Sequence, residues 1–400
     1  MRRRDDNGRY TFGSLFCGCG GFDLGFIQSG FQCKAAFDVD PLVIDVYRRN
    51  LGLVVEQCDL SDPSFKATRL RGIDVLIAGS PCQGFSTAGK RDYEDPRNHL
   101  LLTAGHIAAA AAPKVFIAEN VQGVIAGGHR QYWDRLHQIL KSAGFVTTDI
   151  CCDASQLGVP QFRKRIVLIA HRIKSSIRVE LPTVNGGMVR DAIGTMRGTL
   201  NHEPRLLVAG SSLAMIARQI EQGQKLCNVR AGPRSVPTWS IPSAFGRTTR
   251  SERRILEALR LLRRQDRIRP IGDADPVARS RLEKGVGHPL NGELVSLVNK
   301  GYLRRVGKRY DLTHTFNGKC RRVRWDTPSP TVDTRFGDPR YFLHPDEDRG
   351  FTVRQAARIQ GFPDTFIFEG PERSQFRMVG NAVPPPMAAI LARLSISLIR

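Results

Sequence analysis

A cysteine and a glutamate stand where an alternating fold of strands and helices would hold reactive groups. The run Gly79-Ser-Pro81-Cys82-Gln83-Gly84-Phe85-Ser86 follows an apolar stretch that ends at Ala78. A strand there hands the chain to a turn that presents one thiol, and a thiol that loses its proton is a strong nucleophile. Further on, Ala118-Glu119-Asn120-Val121 closes the apolar run that begins at Val115. Glu119 therefore ends a second strand and can exchange a proton with a bound substrate. Together they offer a nucleophile and a proton donor on one rim of a sheet. The other eight cysteines read as reduced, buried thiols. Nine is an odd number, the spacings are irregular and no C-x-x-C pair occurs. Neither a disulfide framework nor a metal site is expected, and Cys17/Cys19 and Cys151/Cys152 are too isolated to build one.

A third feature concerns a ligand. Phe16-Cys-Gly18-Cys-Gly20-Gly21 separates a β-like run at 10–16 from a helical stretch at 22–29. Glycines at such a turn let the backbone approach a ligand closely, and the helix start offers unpaired N–H groups. The spacing departs from the G-x-G-x-x-G dinucleotide fingerprint, which disfavours a nicotinamide oxidoreductase. Asp38, after the next strand, is placed like the acid that binds ribose hydroxyls. Asp59, after a third strand-like run, can accept from the amino group of an adenine. A nucleoside-bearing cofactor follows.

The elements that must position these groups alternate. Strands are expected at 33–37, 74–78, 115–118 and 166–170, with helices at 41–50, 100–112 and 132–143. Such alternation implies βαβ units, a mostly parallel sheet with helices on both faces, and ligands at the carboxyl ends of the strands. The rhythm stops near Arg172. Residues 255–264 read as a helix, and 294–299 followed by 301–313 as a helix and a two-stranded wing, a winged-helix element. Helical character returns at 352–360 and 386–399.

Charge marks the same break. The 400-residue chain carries a net +22, and residues 172–324 hold 31 Lys/Arg against 12 Asp/Glu. An excess so concentrated points to a polyanionic partner. No continuous apolar stretch reaches the ~20 residues of a membrane span. The basic start has no apolar run after it, so a cytoplasmic protein is expected.

The paired Pro81-Cys82 and Glu119-Asn120-Val121 resemble the signatures of the DNA cytosine-5 methyltransferase family, in particular its bacterial restriction–modification type. Other landmarks resemble that family's in order. They are Phe16-x-Gly18-x-Gly20-Gly21, Gln161-x-Arg163-x-Arg165, the run from Arg354 through Gly361-Phe362-Pro363-Asp364, and Gly380-Asn381-Ala382-Val383. Thr327-Pro-Ser-Pro-Thr331 resembles the segment that ends the family's target-recognition domain. Ser14 departs from the Asp that many members carry two residues before the Phe.

The resemblance implies a Rossmann-like S-adenosylmethionine-dependent domain, discontinuous at 1–171 plus 350–400, and a basic target-recognition domain at 172–349. Cys82 would attack C6 of a flipped-out cytosine in double-stranded DNA. Glu119 would donate to N3, with Arg163 and Arg165 beside it. Alternation along one strand puts Gln161, Arg163 and Arg165 on one face. Phe16, Gly18, Gly20, Gly21, Asp38, Asp59, Asn381 and Val383 would hold the cofactor, with no metal. A monomer in the bacterial cytoplasm or nucleoid is expected, with a cognate restriction endonuclease acting on the same site without a stable complex. Two alternatives are a tRNA cytosine-5 methyltransferase and a catalytically inactive DNA-binding regulator; the intact motifs speak against the second. Arg253, Arg254, Arg304, Arg305 and Arg309 are candidates for DNA contact.

Overall fold

Five strands set up the sheet on which everything else depends. They are β1 (Thr11–Leu15), β2 (Gln32–Asp38), β3 (Val55–Gln57), β4 (Val75–Ala78) and β5 (Val115–Val121). With β6 (Val146–Asp153) and β7 (Lys164–His171) they form a seven-stranded sheet in the order β3-β2-β1-β4-β5-β7-β6. All neighbours run parallel except at β7, which is antiparallel to both β5 and β6. Every residue of β4 is fully buried, as befits a continuous apolar strand covered on both faces. This is the expected α/β class. The computed structural model describes residues 9–52, 54–81, 84, 95–173, 179–196, 198–268 and 274–399.

Helices cover both faces. On one, Leu15, Phe37, Leu76, Phe116 and Leu168 pack against α3 (Leu100–Ala111), through Leu101, Ala104 and Ala108, and against α4 (Arg130–Ser142), through Trp133, Leu136 and Leu140. On the other lie α1 (Gly21–Gln28) and α2 (Pro41–Leu51). Ser14 donates to Asp23 of α1 at 2.9 Å, and Tyr47 of α2 donates to the same carboxylate at 2.8 Å. The C-terminal helix Pro385–Ile399 packs on α1 at Gly25, where a Cβ would lie 2.4 Å from the Pro385 carbonyl. The run Glu372–Ile399 is long and apolar enough to cross a membrane by composition. It consists of two helices that break at Asn381, and Met387, Leu391 and Leu398 are buried in this core.

The chain divides into two compact units. The first is Met1–His202, Trp325–Arg335 and Thr352–Arg400; the second is Glu203–Arg324 and Phe336–Phe351. Residues 172–202 and 325–335, expected in the basic domain, thus fold with the first unit. Backbone hydrogen bonds hold them there: Val184 donates to Gln156 at 2.7 Å, Val189 to Thr327 at 3.1 Å and Ser329 to Pro160 at 2.9 Å.

In the second unit, α5 (Arg250–Gln265), β8 (Val277–Ala278), α6 (Arg279–Val286), α7 (Glu293–Asn299), β9 (Leu303–Val306) and β10 (Arg309–Leu312) follow one another. The strands form an antiparallel sheet in the order β8-β10-β9. The helix expected at 255–264 and the helix and two-stranded wing expected at 294–313 are present, while β8 and α6 between them were not foreseen. Ile255, Leu259, Leu282, Leu294, Leu297, Leu303 and Leu312 share one core. A Thr249/Glu252 capping box starts α5. Beside it, a smaller core holds Ala217, Ile220, Leu226 and Leu343. There the Arg322 guanidinium donates to the carbonyls of Ala217, Ile220, His344 and Glu347.

Candidate active site

A cavity of about 310 Å³ opens at the carboxyl ends of β1, β2, β4 and β5, wholly within the first unit. Its floor begins where β1 stops. Phe16 has φ 55°, a conformation that a bulky residue holds only at a cost of about 1–3 kcal/mol and that clusters at ligand sites. Gly18 follows with φ 54°, and a Cβ there would meet nothing within 4 Å. Its N–H donates to Asp38 Oδ2 at 2.8 Å. Burial raises the Asp38 carboxyl above its ordinary range, and N–H groups of Asp40 and Gly18 oppose the rise. Asp59 is exposed and held below its ordinary range by hydrogen bonds from the Ser61 hydroxyl and N–H.

Phe16, Gly18, Gly21, Asp38, Asp59, Asn381 and Val383 all line this cavity; Gly20 does not. At Gly20 a Cβ would lie 2.4 Å from Leu51 and 2.9 Å from Tyr47, so this glycine lets the start of α1 press against α2. At Gly21 a Cβ would lie 2.6 Å from the Val383 carbonyl. That contact seats the C-terminal segment beside the glycine turn.

The same cavity is lined by Pro81, Glu119, Arg163 and Arg165. Cys82 itself lies outside the described residues, as do Gln83 and residues 85–94. Glu119 and Arg165 are diagonal neighbours on β5 and β7, since Glu119 pairs with Val167 and Arg165 with Val121. Their side chains are about nine-tenths buried, and Arg165 Nε lies 2.7 Å from Glu119 Oε1. The contact is an ion pair rather than an aligned hydrogen bond, so Glu119 Oε1 has no hydrogen-bond donor among the described residues. Beside them on β6, the Cys152 thiol is pushed up to about 12 by burial and by Glu119. It is a poor candidate for a second nucleophile.

Arg163 lines the cavity with Glu119 and also has a structural task. It is 2 % exposed, and its guanidinium donates to the carbonyls of Val332, Gly380 and Ala382, each at 3.0 Å. It clamps the chain segment that carries Asn381. Gln161 is equally buried and receives the Val332 N–H at 3.1 Å. Gln161 and Arg163 also precede β7, which starts at Lys164. The expected strand alternation therefore covers Arg165 alone, and the two buried residues reach the site from the entering loop.

Sequence reasoning missed three supports. Asn120 Nδ2 donates to the Ser80 carbonyl at 3.4 Å and its Oδ1 accepts from Val121 N–H at 2.9 Å. It thereby ties β5 to the chain just before Cys82. The buried Ser80 hydroxyl, also in the lining, has no partner among the described residues. Arg377, from the helix Glu372–Asn381, reaches Asp40 at the N-cap of α2 at 2.7 Å, and both line the cavity. The Asn120 signal was present inside the quoted motif. Arg377 and Asp40 lie 337 residues apart, and no local pattern links them.

Comparison with known proteins identifies a family and a shared fold. The profile for C-5 cytosine-specific DNA methylases matches residues 10–207 and 270–396. The chain is 31 % identical to the Type II methyltransferase M.AgeI of Thalassovita gelatinovora, over 94 % of this chain and 97 % of that one. It is 27 % identical to M.DdeI of Desulfomicrobium norvegicum, over 94 % and 86 % respectively. A solved structure described as a prophage-encoded DNA modification methyltransferase from E. coli shares the fold with a TM-score of 0.59 at 22 % identity, covering 97 % of this chain and 99 % of that one. With the profile spanning most of its length, the chain belongs to the C-5 cytosine-specific DNA methylase family.

Proposed function

We propose that the chain moves a methyl group from S-adenosylmethionine to C5 of a cytosine flipped out of a specific double-stranded DNA sequence. The relatives' names as Type II methyltransferases support a place as the modification enzyme of a restriction–modification system, with a cognate endonuclease reading the same site. One observation carries the reading: the Arg165–Glu119 pair and the Phe16–Asp38 cradle line the same cavity, with Pro81, the residue before Cys82, between them in sequence.

Carbon 5 of cytosine is a weak nucleophile. A Cys82 thiolate adding to C6 turns the ring into an enamine that is electron-rich at C5, which splits one hard step into two easier ones. Negative charge moves toward N3 during addition; the protonated form of Glu119 offsets it by donating its proton there, and Arg165 stabilises the carboxylate that is left. Arg165 holds the Glu119 carboxyl on the cavity side of β5. Asn120 steadies the Ser80–Pro81 approach to the thiol. S-adenosylmethionine supplies an electrophilic sulfonium methyl. Phe16, Asp38, Asp59, Asn381 and Val383 would hold its nucleoside and amino-acid ends, and Gly18 leaves room for backbone approach. Loss of the C5 proton to a base then lets the Cys82–C6 bond break and returns the thiolate. Flipping the base costs a few kcal/mol, which phosphate contacts of the basic unit offset.

The test uses a duplex library carrying 5-fluorocytosine, whose C5 fluorine cannot leave as a proton does. Wild type with S-adenosylmethionine is expected to form a covalent adduct that maps to Cys82, and Cys82→Ser to form none. An adduct at another residue, or methyl incorporation into transfer RNA alone, would overturn the proposal. Bisulfite sequencing of genomic DNA from expressing cells then reports the methylated site.

A further inference from the structure

The winged helix in the second unit separates two kinds of surface. Helix α7 buries Leu294 and Leu297 in the core and turns Val295 and Asn299 outward at a spacing of four. These two lie on one face of the helix as a short stripe. Val295 is 62 % exposed, and the stripe carries no charge. The charged residues flanking it are engaged: Glu293 accepts from Ser251 at 3.2 Å, and Lys300 pairs with the buried Glu252 at 2.7 Å.

The hairpin of β9 and β10 is the opposite. Arg305, Val306, Gly307, Lys308 and Arg309 are all exposed. Among the described residues Arg305, Lys308 and Arg309 have no carboxylate partner. Arg304 stands apart from them, because it pairs with Asp311 at 2.9 Å, and Arg263 of α5 holds the same buried carboxylate. Arg304 therefore braces the hairpin.

The geometry points to α7 as a base-reading helix and the β9–β10 hairpin as a phosphate-binding wing. The inference rests on the methyltransferase reading only in taking duplex DNA as the ligand. An uncharged stripe of amide and methyl groups suits base edges: Asn pairs with the N6/N7 edge of adenine, and an apolar methyl contacts the thymine methyl. Cations on an exposed hairpin that have no carboxylate partner among the described residues suit phosphates, which position the protein without carrying sequence information. Seven residues of α7 span about 10 Å, enough to face about three base pairs at ~3.4 Å each.

The experiment selects bound sequences from a randomised duplex library with the full-length chain, and scores methyl transfer separately. Wild type is expected to enrich a motif. Asn299→Ala and Val295→Ala are expected to relax preference at one position each, by about ten- to a hundred-fold for Asn299, and to leave thermal unfolding unchanged. Arg305→Ala with Lys308→Ala should weaken every duplex alike and lower the slope of log K against log salt by about two. Identical motifs for wild type, Asn299→Ala and Val295→Ala overturn the inference, as does a wild type without sequence preference. Motif selection without methyl transfer sinks the catalytic reading and leaves this one standing.

Discussion

Two arginines two residues apart do different work. Arg163 directs its guanidinium at three backbone carbonyls, whereas Arg165 faces a single carboxylate across the sheet. Lysine cannot reach three separated acceptors from one nitrogen. Arg163→Lys should therefore lower the unfolding midpoint, with about 1–3 kcal/mol lost for each carbonyl left without a donor. Arg165→Ala should instead lower the single-turnover methyl-transfer rate by about a hundred-fold or more, with a smaller change in stability. If Arg163→Lys unfolds like wild type and loses only rate, the clamp assignment is wrong. Both arginines were nominated as site residues by the resemblance of Gln161-x-Arg163-x-Arg165 to the family motif, and both line the cavity. Which one clamps and which one pairs was not legible, because the partners of Arg163 are carbonyls at residues 332, 380 and 382, and any residue type supplies a carbonyl.

At the scale of elements, the junction of β1, α1 and α2 has a cost built into it. Asp23 is fully buried, and burial lifts its carboxyl to about 7 despite donors from Tyr47 and Ser14. A carboxyl that titrates near 7 when folded and near 4 when unfolded favours the folded state while protonated in both. That advantage is complete below about pH 4 and is lost as pH rises through about 7. Asp23→Asn keeps the shape without the charge. It should raise the unfolding midpoint at pH 8 and lose most of that gain at pH 4; equal gains at both would show that Asp23 does not titrate in this window. Ser14, where many family members carry Asp, fits this junction: a second acid beside Asp23 would add a like charge to a buried site. The elements themselves were mostly readable from apolar periodicity. Strand β6 was not, since Val146–Asp153 is half-exposed and rich in Thr, Asp and Cys. Nor was the reversed direction of β7, because the period of two is the same in either direction.

For the whole molecule, charge and cofactor chemistry are separated along the chain. The basic excess lies mainly between residues 172 and 324, while the cavity belongs to the first unit. DNA affinity should fall steeply with salt, by about a thousand-fold or more between roughly 50 and 200 mM if six or more phosphates are contacted. Cofactor affinity, measured by calorimetry on the same protein, should change little over that range. Parallel losses would mean that the basic segment also serves the cofactor.

The sequence by itself determined the α/β class, the family and the basic character of the middle segment, and it nominated Cys82 and Glu119 as the reactive pair and residues 294–313 as a helix and hairpin. Each is carried by residue type at short spacing, and local stereochemistry or family pattern reads such spacing directly. Only the tertiary structure decided that residues 172–202 and 325–335 fold with the first unit, that Gly20 packs helices while Gly18 faces the cavity, and that Arg377 meets Asp40. Those outcomes depend on which surfaces meet after the chain has returned from hundreds of residues away. Contacts of that range are set by the shape and burial of the assembled core, which no local window contains.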